Sequence, residues 1–183
     1  MCKKVGITIV QKSIVFTFLG NDKPGLVEQL ATTVNSVGGN WLESNLSYMA
    51  GKFAGIVRVS IATENANDLE KLLLQHNSTT LTVTVDNCEQ AVEASVHHGK
   101  LSVIGNDRSG IVEEVTKALA SHGINIQELQ SRVSSAPMTA TPLFEAEICF
   151  QVSAQTKADA VTTELDDIAD KLDIDVSLEW LEQ

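Results

Sequence analysis

The segment Gly20-Asn21-Asp22-Lys23-Pro24-Gly25-Leu26-Val27-Glu28 returns as Gly105-Asn106-Asp107-Arg108-Ser109-Gly110-Ile111-Val112-Glu113, an interval of 85 residues. The same interval pairs Thr17 with Ser102, Leu19 with Ile104, Ser36 with Ser121, Gly38 with Gly123, Asn40 with Asn125 and Glu43 with Glu128. Agreement of this length at one spacing means that the 183 residues are built as two copies of one unit, so any fold proposed for the first half must also suit the second.

Each copy reads as the same series of elements. Ile14 to Leu19 is a β-branched and aromatic run, a strand. Asp22 follows as an expected helix N-cap, with Pro24 in the first turn, where a missing N–H costs nothing. Leu26, Leu30 and Val34 then recur at every fourth position, as do Ile111, Val115 and Leu119 in the second copy, giving one apolar helix face each. Gly38 and Gly123 stand where a helix ends in a left-handed residue. Trp41 to Ala50 and Phe53 to Ile61 form a hairpin turned near Gly51. In the second copy Phe144, Ala146, Ile148, Phe150 and Val152 alternate with Glu145, Glu147 and Gln151, as on a half-exposed strand. A second helix is expected around Leu69, Leu72 and Leu73. In the second copy Thr156 caps that helix, and Ala158, Val161, Leu165, Ile168 and Leu172 form its buried stripe. Leu81 to Val85 and Ile174 to Trp180 close the units as strands.

The order β-α-β-β-α-β defines an α+β class of two ferredoxin-like sandwiches in tandem, with both helices on one face of each sheet. The expected boundaries are 13–86 for the first domain, 87–98 for a linker in which Glu89 to Val96 has room for one or two helical turns, and 99–183 for the second domain. Phe53 matches Phe144 at an interval of 91, so the second copy carries six extra residues within Ser131 to Leu143, either a surface extension or a partner-docking loop.

Thirteen basic residues face 24 acidic ones, for a net charge of −11, and no basic stripe appears, which disfavours direct nucleic-acid binding. The three cysteines, Cys2, Cys88 and Cys149, have neither disulfide nor metal-pair spacing. Lys3-Lys4 precedes an apolar run too short for a secretory signal, and no stretch is long enough to span a bilayer, so a cytoplasmic, non-membrane protein is expected.

The strand-to-helix turn is the place where chemistry concentrates. A helix N-terminus presents unpaired N–H groups and partial positive charge to a carboxylate, and Gly25 or Gly110 leaves room for a ligand beside the backbone. Asp22 or Asp107 would receive an ammonium group, which completes the two halves of an amino-acid site; the alternative is that Asp caps and Gly turns. Asn40 and Asn125 either line the same pocket or satisfy backbone groups in the turn. His97-His98 reads as an exposed linker pair, His76 and His122 stand at helix ends, and Asp166, Asp167, Asp170, Asp173 and Asp175 lack the turn of a cation loop. No nucleophile–base constellation, metal site or cofactor motif is present, so no catalytic residue, metal or cofactor is expected.

Asn21-Asp22-Lys23-Pro24-Gly25-Leu26 and Asn106-Asp107-Arg108-Ser109-Gly110-Ile111, each leading into a helix that ends in Gly-x-Asn, resemble the signature of ACT domains, modules that commonly bind amino acids. A chain of two such units without a catalytic domain is similar to the family of glycine cleavage system transcriptional repressors. That resemblance implies a non-enzymatic regulator that holds a LysR-type activator, with glycine relieving the effect and no contact with DNA. It also implies ligand sites at Asp22, Gly25, Leu26 and Asn40 and at Asp107, Gly110, Ile111 and Asn125, often where two units meet, within one chain or across a homodimer. Ser109, in place of Pro24, departs from the first copy, so the two sites are expected to differ or only one to bind. A regulatory subunit or interaction module for an amino-acid metabolic enzyme is the alternative reading.

Overall fold

The computed structural model describes residues 10–87, 96–135, 141–153, 156 and 158–181. The chain divides into two units, residues 1–91 and 92–183, each with its own apolar core. The first contains β1 (Gln11–Asn21), α1 (Leu26–Ser36), β2 (Asn40–Met49), β3 (Lys52–Ala62), a short 3-10 turn, α2 (Ala66–Leu74) and β4 (Leu81–Asn87). The second repeats this as β5 (Val96–Asn106), α3 (Ile111–Ser121), β6 (Asn125–Ser135), β7 (Pro142–Ser153), α4 (Ala158–Leu172) and β8 (Ile174–Leu181). Both sheets are antiparallel, in the orders β2-β3-β1-β4 and β6-β7-β5-β8, which is the ferredoxin-like arrangement expected from the sequence.

Alternation decides which side of each sheet is covered. Ile14, Phe16 and Phe18 on β1 and Val57, Val59 and Ile61 on β3 are buried, and Leu26, Leu30 and Val34 of α1 with Leu69 and Leu73 of α2 pack in the same core. Phe16 meets Trp41 edge to face at 5.8 Å, and Phe150 meets Trp180 likewise at 5.6 Å in the second core. Both first helices end in one motif. Gly39 N–H reaches the Val34 carbonyl at 3.0 Å and Gly38 N–H that of Asn35 at 3.0 Å, with Gly38 at φ 75. Ile124 and Gly123 do the same for Leu119 and Ala120, so both glycines serve as the sequence predicts.

Three expectations change. The buried stripe of α4 begins at Val161, because Ala158 lies exposed in the first turn. His97 and His98 belong to β5, opposite Val152 and Gln151, and Asn87 belongs to β4, so strand pairing occupies both ends of the segment expected as a linker; the helical turns expected from Glu89 onward fall on residues 89–95, outside the described residues. Ser131 to Ser135 continue β6 and pair with Ala146 to Pro142, which makes them sheet rather than loop. In the first unit the same hairpin closes through Ala50 and Gly51 alone, at φ 49 and 80, as a two-residue turn with positive φ at both positions requires. Histidine placement also gains a reason: His76 contacts Thr33 at 2.7 Å and His122 contacts Glu164 at 2.5 Å, so each ties together the two helices of its unit.

Each unit has one partly buried tryptophan packed against its core, which gives a fluorescence probe for each. Replacing fully buried Leu30 by Ala should cost about 2–5 kcal/mol and lower the urea midpoint of the Trp41 transition, read in a Trp180→Phe background.

Candidate functional site

The turn between β1 and α1 is held from both sides. At its base Gly20 faces the start of β4, where a Cβ would meet Leu81 Cδ1 at 2.8 Å and the Thr80 carbonyl oxygen at 2.9 Å; only glycine fits there. Asn21 N–H donates to the Thr80 carbonyl at 2.9 Å and Asp22 N–H to that of Gly51 at 3.1 Å. Lys52 Nζ, at the hairpin tip, donates to Asn21 Oδ1 at 2.6 Å. The second unit repeats the frame: Gly105 packs against Ile174, and Asp107 N–H donates to the Pro142 carbonyl at 2.9 Å.

These bonds displace the expected cap. Gly25, not Asp22, precedes the first helical residue, in a left-handed conformation at φ 83, and Gln29 N–H returns to its carbonyl at 3.0 Å. Gly110, at φ 99 with Glu114 N–H at 3.0 Å, takes the same place. Three residues separate each Asp from its helix, and Pro24 lies before the cap rather than in the first turn. Asp22 and Asp107 are exposed, and among the described residues neither carboxylate has a hydrogen-bond or ion-pair partner. Asp, Gly and the helix start are thus brought together in both units. The side chains of Leu26 and Ile111 point the other way, each only 2% exposed in its core, so these two residues offer a ligand their backbone alone.

Asn40 and Asn125 stand elsewhere. Asn40 opens β2 opposite Ser60, which pairs with Ser13 near the beginning of β1, whereas Asp22 follows the last residue of β1. Eight residues of strand, roughly 26 Å, separate the two levels. Asn125, opposite Gln151 and level with His98, is as far from Asp107. Within a unit the asparagines do not share a pocket with the Asp–Gly corner, because β1 and β2 run in the same direction.

The corner also holds charged residues beside each Asp and in the first turn of each helix. Lys23 and Arg108 repeat a cation beside each Asp, a signal present in the repeat itself. Glu28 sits in the first turn of α1, and Glu113 and Glu114 in that of α3, where they favour the helix dipole. Beside the second corner a cavity of ≈ 450 Å³ is bounded by Asn106, Leu143 and the carboxylates of Asp170, Asp173 and Asp175. Among the described residues no group of three or more His, Cys, Asp or Glu is placed to hold a metal ion, and Cys149 is a free thiol.

The uncovered sheet faces differ in charge. In the first unit one row across the sheet reads Ser47, Ala54, Leu19, Thr82; the next reads Asn45, Ile56, Thr17, Thr84; the third reads Glu43, Arg58, Val15, Asp86. The corresponding rows of the second unit read Arg132, Glu145, Ile104, Asp175; Gln130, Glu147, Ser102, Ser177; and Glu128, Cys149, Lys100, Glu179. The hydrogen bond from Arg58, 2.5 Å from Glu43, holds that carboxyl below the usual range. Glu145 is lowered by the Ser134 hydroxyl at 2.7 Å and then by Arg132.

Sheet order, paired helices and a repeated Asp–Gly corner define a protein of two duplicated ferredoxin-like domains. Residues 12–86 match the ACT domain, and residues 100–170 match it again. The chain belongs to the ACT-domain family, with two such domains in tandem. An unknown protein from Galdieria sulphuraria of solved structure is 25% identical, with a TM-score of 0.85 over 94% of this chain and 100% of that one. A candidate glycine cleavage system transcriptional repressor is 19% identical, with a TM-score of 0.70 over 95% of this chain and 99% of that one, a likeness of fold. No curated protein matches the chain in sequence. Among the described residues no helix is long and apolar enough to cross a membrane.

A Cβ at Gly110 would meet nothing within 4 Å and one at Gly25 only Glu28 Oε2 at 3.6 Å, an ordinary contact, so substitution there strains the backbone rather than the packing. Gly25→Ala and Gly110→Ala should each destabilise their unit by about 1 kcal/mol in urea titration, and the Asn variants by less. Glu145 behaves differently with pH. Its folded pKa lies below its unfolded one, so its contribution is present near neutrality and is lost as pH falls through the folded value. Urea midpoints of the second unit should fall on acidification less steeply in Glu145→Gln than in the unaltered protein.

Proposed function

We propose that this chain is a non-enzymatic regulator that responds to a small amino acid and acts through a protein partner. Its most specific form is a repressor of glycine cleavage genes that holds a LysR-type activator and releases it when glycine binds. The observation that carries the reading is the repeated corner: in both units an exposed, unpartnered Asp carboxylate stands beside a glycine-capped helix start. An α-amino acid carries an ammonium and a carboxylate on one carbon. Asp22 or Asp107 would receive the ammonium, and the helix N-terminus, with Lys23 or Arg108 nearby, would receive the carboxylate. The acidic recess beside Asn106 adds to the field that favours an ammonium group at the second corner. Membership of the ACT family supports the ligand class, and the fold shared with a candidate repressor supports the regulatory role. The net charge of −11 favours a protein partner over DNA. Asn40 and Asn125 enter such a site only if it is built from more than one unit.

Ligand and partner shift each other only if glycine binds the free and partner-held forms with different affinity. Calorimetry with glycine should show binding that weakens about 10- to 100-fold when the carboxylate at an occupied corner is lost, in Asp22→Ala or Asp107→Ala. Equal affinity in both variants and in the parent removes the Asp assignment. Pull-down of a LysR-type activator should succeed without glycine and decline with it; recovery of a metabolic enzyme instead would move the role to that enzyme's regulatory subunit.

A further inference from the structure

Both sheets carry an open depression at equivalent positions of their uncovered faces, ≈ 500 Å³ in the first unit, around Leu19, Ile56 and Ala54, and ≈ 410 Å³ in the second, around Ile104, Glu147 and Glu145. The backbone is duplicated, but the chemistry is not. The first unit's two upper rows hold eight residues without a formal charge, with Leu19 and Ile56 at 55% and 51% exposure near their centre and Thr17, Thr82 and Thr84 beside them. The same rows in the second unit hold Arg132, Glu145, Glu147 and Asp175.

We propose that the uncovered sheet face of the first unit is a self-association surface on which a second copy of this chain seats the same face about a two-fold axis. In an isologous contact a patch meets itself, so every net charge on it is opposed by its own sign. A chain of net charge −11 has few surfaces that escape this repulsion. The second unit's face, with five carboxylates against Lys100 and Arg132 over its three rows, repels its own image. The first unit's face does so far less: its two upper rows carry no formal charge, and in the outer row Glu43 and Arg58 pair at 2.5 Å, which leaves one net negative charge, that of Asp86 on the edge strand β4. Two twisted sheets packed about 10 Å apart would bury Leu19 and Ile56 of both copies and leave the threonine hydroxyls facing one another. Four strands about 4.8 Å apart, over seven residues each, give a footprint of about 450 Å². That is below the roughly 800 Å² per partner of a stable complex, so the dimer is weak and reversible. It holds whether or not the Asp–Gly corners bind an amino acid.

Sedimentation equilibrium of the full chain, from low to several hundred micromolar, tests this. The expected result is a monomer–dimer equilibrium. Leu19→Lys with Ile56→Lys, and separately Leu19→Glu with Ile56→Glu, should each weaken association at least about 10-fold by placing like charges opposite one another. An equimolar mixture of the two variants should restore the dimer, an outcome that misfolding could not produce. Glu147 already occupies the position of Ile56 in the second unit, so the fold accepts a carboxylate there. A parent protein that stays monomeric overturns the proposal, as does a dimer indifferent to both charge pairs, which would place the contact on an edge strand or on the second unit. Failure of the mixture to restore association overturns it as well.

Discussion

Between sheet and helices in the first unit lie Ile14, Phe16, Phe18, Val57, Val59 and Ile61 from the strands and Leu26, Leu30, Val34, Leu69 and Leu73 from α1 and α2. Removal of these side chains from water binds the two layers, and it does so on one side only. Both crossovers bring their helices to the same face, so every second residue of each strand is committed to the core and its neighbours are left outside. The second unit repeats the arrangement with Leu101, Val103, Ile148 and Phe150 beneath Val115, Leu119, Val161 and Leu165. The ends of the strands and the outward sheet face are left free of the helices.

Those two regions have diverged to different degrees. At the strand ends the copies remain alike, because backbone contacts dictate them: Gly20 and Gly105 run too close to the next strand for a side chain, and the N–H groups of Asp22 and Asp107 are fixed by the neighbouring hairpin. On the outward faces nothing constrains the side chains except solubility and partners. There Ala54 becomes Glu145, Ile56 becomes Glu147 and Thr82 becomes Asp175. A duplicated scaffold has in this way kept two equivalent corners while presenting two sheet faces of different charge.

Much of this was legible in one dimension. The repeat gave the number of units, and periodicities of about four and of two separated helices from strands, down to the left-handed glycines that end α1 and α3. The corner was legible as a cluster of residue types. Its local geometry was not: an Asp ahead of an apolar helix is a good cap on propensity alone, and only the hydrogen bond from Asp22 to Gly51, a residue far along the chain, shows that the turn runs on for three more residues. The separation of Asn40 and Asn125 from the corner of their own unit was hidden for a similar reason. Both follow the first helix closely, but a crossover returns the chain to the far end of the sheet, and distance along the sequence hides that passage.

By itself, then, the sequence determined that two copies of one βαββαβ unit form, which faces of their strands and helices are apolar, and where glycines must stand, since these follow from local sterics and from the spacing of side chains that avoid water. Tertiary structure alone decided which of the repeated polar residues meet, which residue caps each helix, and how the charges of neighbouring strands line up into rows. Those outcomes depend on register between segments tens of residues apart, and register is fixed only when the strands pair.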